Sequence, residues 1–134
     1  MKNVISHFDV EEKTYPLAFT LNVLDEIQKK YGSYEEWGNL TDAKNGEVNL
    51  DALIFGITEM INEGIDIENE DQQNKRSFLT NKQVGRIITK LGLKEMALKA
   101  NEIVVASTKV EESQKNVWST RKKILRLISR GYYL

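Results

Sequence analysis

Residues 15–37, YPLAFTLNVLDEIQKKYGSYEEW, contain the change of period that decides the fold. Tyr15, Leu17 and Phe19 alternate with Pro16, Ala18 and Thr20, the period-two pattern of a half-buried strand. At Thr20 the period lengthens. Leu21, Leu24, Ile27 and Tyr31 recur three or four residues apart and share one face of a helix, and Gly32 follows where a left-handed C-terminal cap costs little. Ser33 and Glu36 then offer a capping box for a second short turn. Upstream, residues 4–10 are β-branched and aromatic enough to pair with residues 15–19 across Glu11-Glu12-Lys13, a turn whose chemistry leaves the register open. Pro16, lacking an amide proton, suits an edge or the outer side of such a ribbon.

The rest of the chain is helical in pattern. Residues 39–48 read as a loop turning at Asn45-Gly46, after which Asn49 can cap a central helix. Leu50, Leu53, Ile54, Ile57 and Ile61 form its narrow apolar arc, Met60 widens it, and Gly64 marks its end. Residues 65–77 are polar and acidic and read as a loop. Thr80 with Gln83 gives a capping box for a short helix with Val84, Ile87, Ile88 and Leu91 on one face, stopped by Gly92. Leu93, Met96, Ala97, Ala100, Ile103, Val104 and Ser107 outline a longer helix; Leu98 and Val105 lie off that stripe, so a second side of it is available for cover. The expected fold is α+β and predominantly helical: a small N-terminal β-hairpin followed by about five helices in one compact domain. Residues 1–112 form the hairpin and helical core, and residues 113–134 a basic amphipathic helix, docked or extended.

Charge is segregated along the chain. All 20 acidic residues lie within 1–112, whereas 113–134 contain six Lys and Arg and no acid, although the net charge of the whole is only -1. A segment of that kind docks on something acidic: its own body, a partner or a polyanion. Between positions 116 and 130, Val117, Ile124 and Ile128 line one face with Leu125 beside them, and Lys122, Lys123, Arg126 and Arg130 cluster opposite. An ordinary packed helix and a docking helix for an acidic partner explain this pattern equally well, ahead of a nucleic-acid contact or a membrane-surface helix. Trp118 and Tyr132-Tyr133-Leu134 favour protein contact. The acidic remainder would repel phosphate.

No residue set for bond-making chemistry stands out. With no cysteine, disulfides, thiolate metal sites and thiol nucleophiles are excluded. The lone His7 has neither a second histidine nor a fixed carboxylate partner in the pattern and reads as a surface or half-buried strand residue. Asp25-Glu26 and Glu35-Glu36 are adjacent pairs, which on a helix point about 100° apart and do not converge. Glu59 and Glu63 have the spacing of helical metal sites but no histidine or expected facing carboxylates, so they read as solvated surface. Asp66, Glu68 and Glu70 alternate as in a calcium loop, yet Asp71 stands where glycine is needed and Ser77 where a bidentate glutamate should close the site. Gly85 and Gly92 make no phosphate-cradling motif. The expectation is therefore no enzyme, no cofactor and no metal. No apolar run approaches the roughly 18–20 residues that span a bilayer. MKNVISHFDVEEK at the start lacks the apolar core of a signal peptide, so a cytoplasmic protein is expected.

The order of features resembles a known family. A hairpin ending in YPLAF, a first helix ending in YGS followed by EEW, the apolar run LDALIFGITEM, and LTNKQVGRIITKLG leading into a long helix are together similar to the tail assembly chaperones of long-tailed bacteriophages and related prophages of Gram-positive bacteria, over roughly residues 4–110. The resemblance implies a mostly helical interaction domain without catalytic residues. Its partners would be the tape-measure protein, kept soluble before the tube closes around it, and the tail-tube protein recruited to it. In many members a frameshift near the end of the gene adds a longer product. Self-association is left open, no membrane is involved, and nucleic acid is disfavoured. On this basis Leu98 and Val105, with Ile124, Leu125, Arg126, Ile128 and Arg130 of the last segment, are the candidate partner-binding residues. The alternatives are a structural tail or head-tail connector component and, from another class, a small DNA-binding regulator using the basic helix.

Overall fold

A computed structural model describes residues 4–42 and 47–113. Two antiparallel strands, β1 (Ile5–Val10) and β2 (Lys13–Ala18), are followed by five helices: α1 (Leu21–Tyr31), α2 (Tyr34–Thr41), α3 (Leu50–Asn69), α4 (Asn81–Leu91) and α5 (Leu93–Ser113). The fold is α+β and mostly helical, as the periodicities predict. The Asn45-Gly46 turn and the basic segment with Ile124, Leu125, Arg126, Ile128 and Arg130 lie outside the described residues.

The open register of the hairpin is resolved by the pairing of Ile5 with Ala18 through Val10 with Lys13, which leaves Glu11-Glu12 as the turn. Glu11 takes φ 58°, a conformation that glycine or asparagine adopts more readily. β2 departs from the half-buried expectation. Tyr15, Pro16, Leu17, Ala18 and Phe19 are all buried, so apolar residues line both faces of the strand. On one face Phe8, Tyr15 and Leu17 point toward the α5 side; on the other, Pro16 packs on α3. Pro16 is thus interior rather than outward-facing.

Helix starts follow local chemistry. Thr20 Oγ1 accepts from the backbone N–H groups of Asn22 and Val23, Ser33 Oγ from Glu36, and Asn49 Oδ1 from Ala52. At α4 the full capping box forms, with Gln83 N–H donating to Thr80 Oγ1 and Thr80 N–H donating to Gln83 Oε1. Gly32 and Gly92 end α1 and α4 at φ 91° and 106°. One apolar face is rotated from its expected position. In α1 the core takes Val23 and Ile27, leaving Leu21 67% exposed, because Leu21 sits about 120° around the helix from Ile27. Leu50 and Leu93, each the first residue of its helix, are likewise exposed.

α2 runs on through Thr41, so residues 39–41, expected in the loop, are helical. Its anchor is Trp37, which is buried and whose indole Nε1 donates to the carbonyl of Ala52 at 2.8 Å. The ring lies where Gly56 of α3 has no side chain: a Cβ there would come within 2.7 Å of Trp37 Nε1. Gly64 provides the same opening two turns on, for Pro16, whose Cβ would be 2.8 Å from a Cβ at position 64. Gly64 therefore does not end α3. The helix continues through Ile65, which is fully buried, to Asn69, so Asp66 and Glu68 are helical, while residues 70–77 lie outside helix and strand, as expected.

Beyond α3 the chain returns without regular secondary structure. Asn69 Nδ2 donates to Arg76 O at 3.0 Å and Arg76 N–H to Asn69 Oδ1 at 2.9 Å; Asn62 makes the same pair of bonds with Leu79, at 3.0 and 2.8 Å. Each asparagine thus satisfies one backbone donor and one acceptor of the returning segment.

The glycines separate two effects. Gly56→Ala forces the Trp37 ring aside, an overpacking cost of about 1–3 kcal/mol that outweighs the ~1 kcal/mol of helix propensity gained. Gly64→Ala acts in the same direction against Pro16. Gly85→Ala, where the added methyl meets only Ile54 Cδ1 at 3.8 Å, is expected to stabilise. Denaturant midpoints of the three variants check this order. Glu11→Gly relieves the positive φ, worth about 1–2 kcal/mol, and loses the exposed Lys90–Glu11 ion pair at 3.0 Å, worth about 0–1 kcal/mol. A net gain in stability is expected from the same measurement.

Candidate functional site

Three surface features converge more than one chemistry-bearing residue. The first is the outer side of α5. Met96, Ala100, Ile103, Val104 and Ser107 are buried toward the core, as their spacing predicts. Leu98 and Val105, seven positions apart and therefore nearly in line, project from the opposite side and are 53% and 51% exposed. Glu95 and Glu102 flank them, and Lys99 reaches Glu95 at 3.8 Å.

The second feature lies where α5 meets the hairpin. Val4, Phe8, Leu17, Ile103 and Ala106 form an apolar recess of about 210 Å³ with Ser6, His7, Lys99 and Glu102 at its rim. His7 does have a carboxylate partner, contrary to the sequence pattern: its Nε2 lies 2.6 Å from Glu68 Oε2. That contact exists because α3 runs past Gly64. It ties β1 to the last turn of α3 and leaves both side chains partly exposed to water.

The third is an acidic groove between α1 and α3, about 290 Å³, lined by Asn22, Val23, Asp25, Glu26, Glu59, Asn62, Glu63, Asp66 and Phe78. The facing carboxylates that Glu59 and Glu63 were expected to lack are present: Asp25 and Glu26 stand across from them on α1. These acids are already engaged. Lys29 Nζ lies 2.9 Å from Asp25 and 3.7 Å from Glu26, and those two carboxylates raise its pKa, Asp25 more than Glu26. The hydroxyl of Thr20 and the amide of Asn22 both donate to Glu63 Oε2, at 2.5 and 3.2 Å. Asn62 is held by Leu79, as described above. Glu59 is left without such help. Burial first, then the nearby charges of Glu26 and Glu63, raises its carboxyl pKa above the ordinary value. Among the described residues no set of three or more His, Cys, Asp or Glu is arranged to hold a metal ion, and no described helix is long and apolar enough to cross a membrane.

Of the residues singled out in the sequence, the structure therefore places Leu98 and Val105 together on one exposed face. It also unites Asp25, Glu26, Glu59 and Glu63, which the sequence had treated as separate wet surfaces. Nothing local signalled that meeting, since it depends on α1 packing against α3. Phe78, 57% exposed at the lip of the groove, was not singled out at all.

The raised Glu59 pKa fixes the sign of a pH effect. Between its unfolded and folded pKa values the native state holds the proton more firmly, so stability falls as pH rises through that window. At neutral pH the whole cost is present. Glu59→Gln is therefore expected to raise Tm at pH 7, with the difference from the parent shrinking as pH is lowered through the carboxylate range; thermal melts across pH 4–7 read it out. Against protein-family models, curated proteins and solved structures alike, the chain gives no match.

Proposed function

We propose that this chain is a tail assembly chaperone of the phage or prophage type, working in the bacterial cytoplasm by covering apolar helical surface on the tape-measure protein, the tail-tube protein or both. The observation that carries this is the Leu98–Val105 face: two large apolar side chains in line and half-exposed on the outer side of α5, while Met96, Ala100, Ile103 and Val104 of the same helix are buried in the core. Two further facts support it. The hairpin-then-helices order agrees with the family that the sequence resembles. In the groove between α1 and α3, Asp25, Glu26 and Glu63 have internal partners. A tape-measure chain exposes similar stripes before its tube assembles, and burying a Leu or Val side chain yields about 1.5–3 kcal/mol, enough for reversible cover by a few such contacts.

Co-expression with the neighbouring tape-measure and tube proteins tests the proposal. One of them is expected to become more soluble and to co-purify, and the Leu98→Asp/Val105→Asp double variant is expected to weaken that capture by roughly tenfold or more. Because both positions are exposed, its Tm stays close to that of the parent. No gain in solubility and no co-purification for either client would overturn the proposal, and persistence of the chain in purified virions would assign it to the tail structure instead.

A further inference from the structure

We propose that the outer edge of β1 is a docking edge for a partner protein: an extended segment alternating apolar with basic residues adds to it antiparallel as a third strand and seats one apolar side chain in the recess between β1 and α5. This surface is separate from the Leu98–Val105 face, and the proposal does not rest on the client reading of that face.

The turn decides which groups the edge offers. Glu11 and Glu12 form a two-residue loop, so Val10 and Lys13 beside it exchange backbone hydrogen bonds, and so in turn do Phe8 with Tyr15 and Ser6 with Leu17. Ile5, His7 and Asp9 therefore direct their N–H and C=O groups away from β2. The pairing of His7 with Pro16 agrees, because at that position the ladder needs no N–H from proline. Among the described residues no group bonds to these outward N–H and C=O groups, and the side chains of His7 and Asp9 are exposed. The opposite edge of the hairpin is closed. There Pro16 has no N–H and its ring packs on Gly64, and Thr14 O accepts from Arg76 Nη1 at 3.1 Å. Of the usual protections of a bare edge, proline, lysine and a bulge are all missing from β1.

The neighbouring surface specifies the occupant. Only an extended chain has free backbone groups at the spacing of this edge, since a helix satisfies its own internally. Side chains of an added strand alternate between two faces. Those level with Ser6 and Phe8 turn toward α5, where the apolar recess of about 210 Å³ has room for one aliphatic side chain, with the small Ser6 at its rim. Those level with His7 turn toward Asp9 and toward Glu68, which lies 2.6 Å from His7. Around the edge the acids Asp9, Glu11, Glu12, Glu68 and Glu102 stand against Lys13, Lys90 and Lys99. Lys90 and Lys99 are already drawn to Glu11 and Glu95, at 3.0 and 3.8 Å. The balance is negative, which selects basic residues on the occupant.

A second copy of β1 is the rival strand, and it is poorer. The apolar residues it would turn toward the recess are Val4, Phe8 and Val10, of which Val4 packs on its own core and Phe8 and Val10 are buried in it. It has no free apolar side chain to insert, and it brings the same excess of acid to the edge.

Amide hydrogen exchange followed by NMR in the full-length chain, alone and with a blocked synthetic octapeptide alternating lysine with valine, tests the proposal. In the chain alone, the His7 and Asp9 amides are expected to exchange at least about tenfold faster than those of Ser6 and Phe8. Equal protection would mean that the edge is already covered, by the chain itself or by a second copy, and would overturn the proposal. Millimolar peptide is expected to slow exchange at His7 and Asp9 by roughly tenfold and to shift the signals of Ile103 and Ala106 at the recess. Unchanged exchange at those two amides would overturn it, as would shifts confined to the acidic groove between α1 and α3. Altered peptides leave the protein's own folding untouched. N-methylation at the lysines, whose N–H groups face β1, is expected to abolish the effect, whereas N-methylation at the valines, whose N–H groups face away, is expected to preserve it. Glutamate in place of lysine is expected to weaken binding by roughly tenfold or more. Binding that survives methylation at the lysines, or that is indifferent to peptide charge, overturns the proposal.

Discussion

Two absences of a side chain on α3 govern how the rest of the molecule is arranged. Gly56 and Gly64, on one face with Ala52 and Met60 between and before them, let an indole and a pyrrolidine ring approach the helix backbone where any Cβ would collide. Through Trp37 the first opening sets the height of α2; through Pro16 the second sets the position of the hairpin. The cost is the conformational freedom that two mid-helix glycines lose, about 1 kcal/mol each relative to alanine. Burial of two large rings, together with the Trp37 hydrogen bond to Ala52, offsets it. The continuation of α3 beyond Gly64 then follows, and with it everything its last turns hold: Glu68 against His7, and Asn69 against Arg76.

The helix boundaries that were legible share a cause that is local in sequence. Thr20, Asn49 and Thr80 cap with their own side chains, and Gly32 and Gly92 adopt positive φ within the same turn that they end. Gly64 has the same letter for a different reason. It lacks a Cβ on account of Pro16, a residue 48 positions earlier, and no window around Gly64 contains that information. The same holds for β2. Its alternation of Tyr15, Leu17 and Phe19 was read as one buried face, yet Pro16 and Ala18 between them are interior as well, because α3 lies on the side that alternation assigned to water.

The surface features divide along the same line. Leu98 and Val105 could be recognised as spare apolar residues because helical phase is a local property, and their exposure follows from the burial of Met96, Ala100 and Ile103 on the other side. The acidic groove could not be foreseen. Asp25 and Glu26 are remote in sequence from Glu59 and Glu63, and only the packing of α1 on α3 brings them within the range at which Glu26 and Glu63 disfavour the ionised form of Glu59. His7 illustrates the point most simply: the absence of a carboxylate near it in sequence says nothing about Glu68, which arrives on the end of another element.

The two exposed chemistries of this surface are unequal as places to bind. A cationic partner entering the acidic groove must compete with Lys29 for Asp25 and Glu26, and with Thr20 and Asn22 for Glu63, so each new contact is largely an exchange for one lost. On the α5 face Lys99 likewise reaches Glu95 at 3.8 Å, but the apolar side chains of Leu98 and Val105 are themselves half-exposed. Covering Leu98 and Val105 removes apolar area from water, and Glu95 and Glu102 at the edge add register and discrimination rather than affinity. An occupant therefore gains its free energy from the stripe and its orientation from the rim. The free energy available from two half-exposed aliphatic side chains is a few kcal/mol, which suits reversible cover and does not suit a permanent joint.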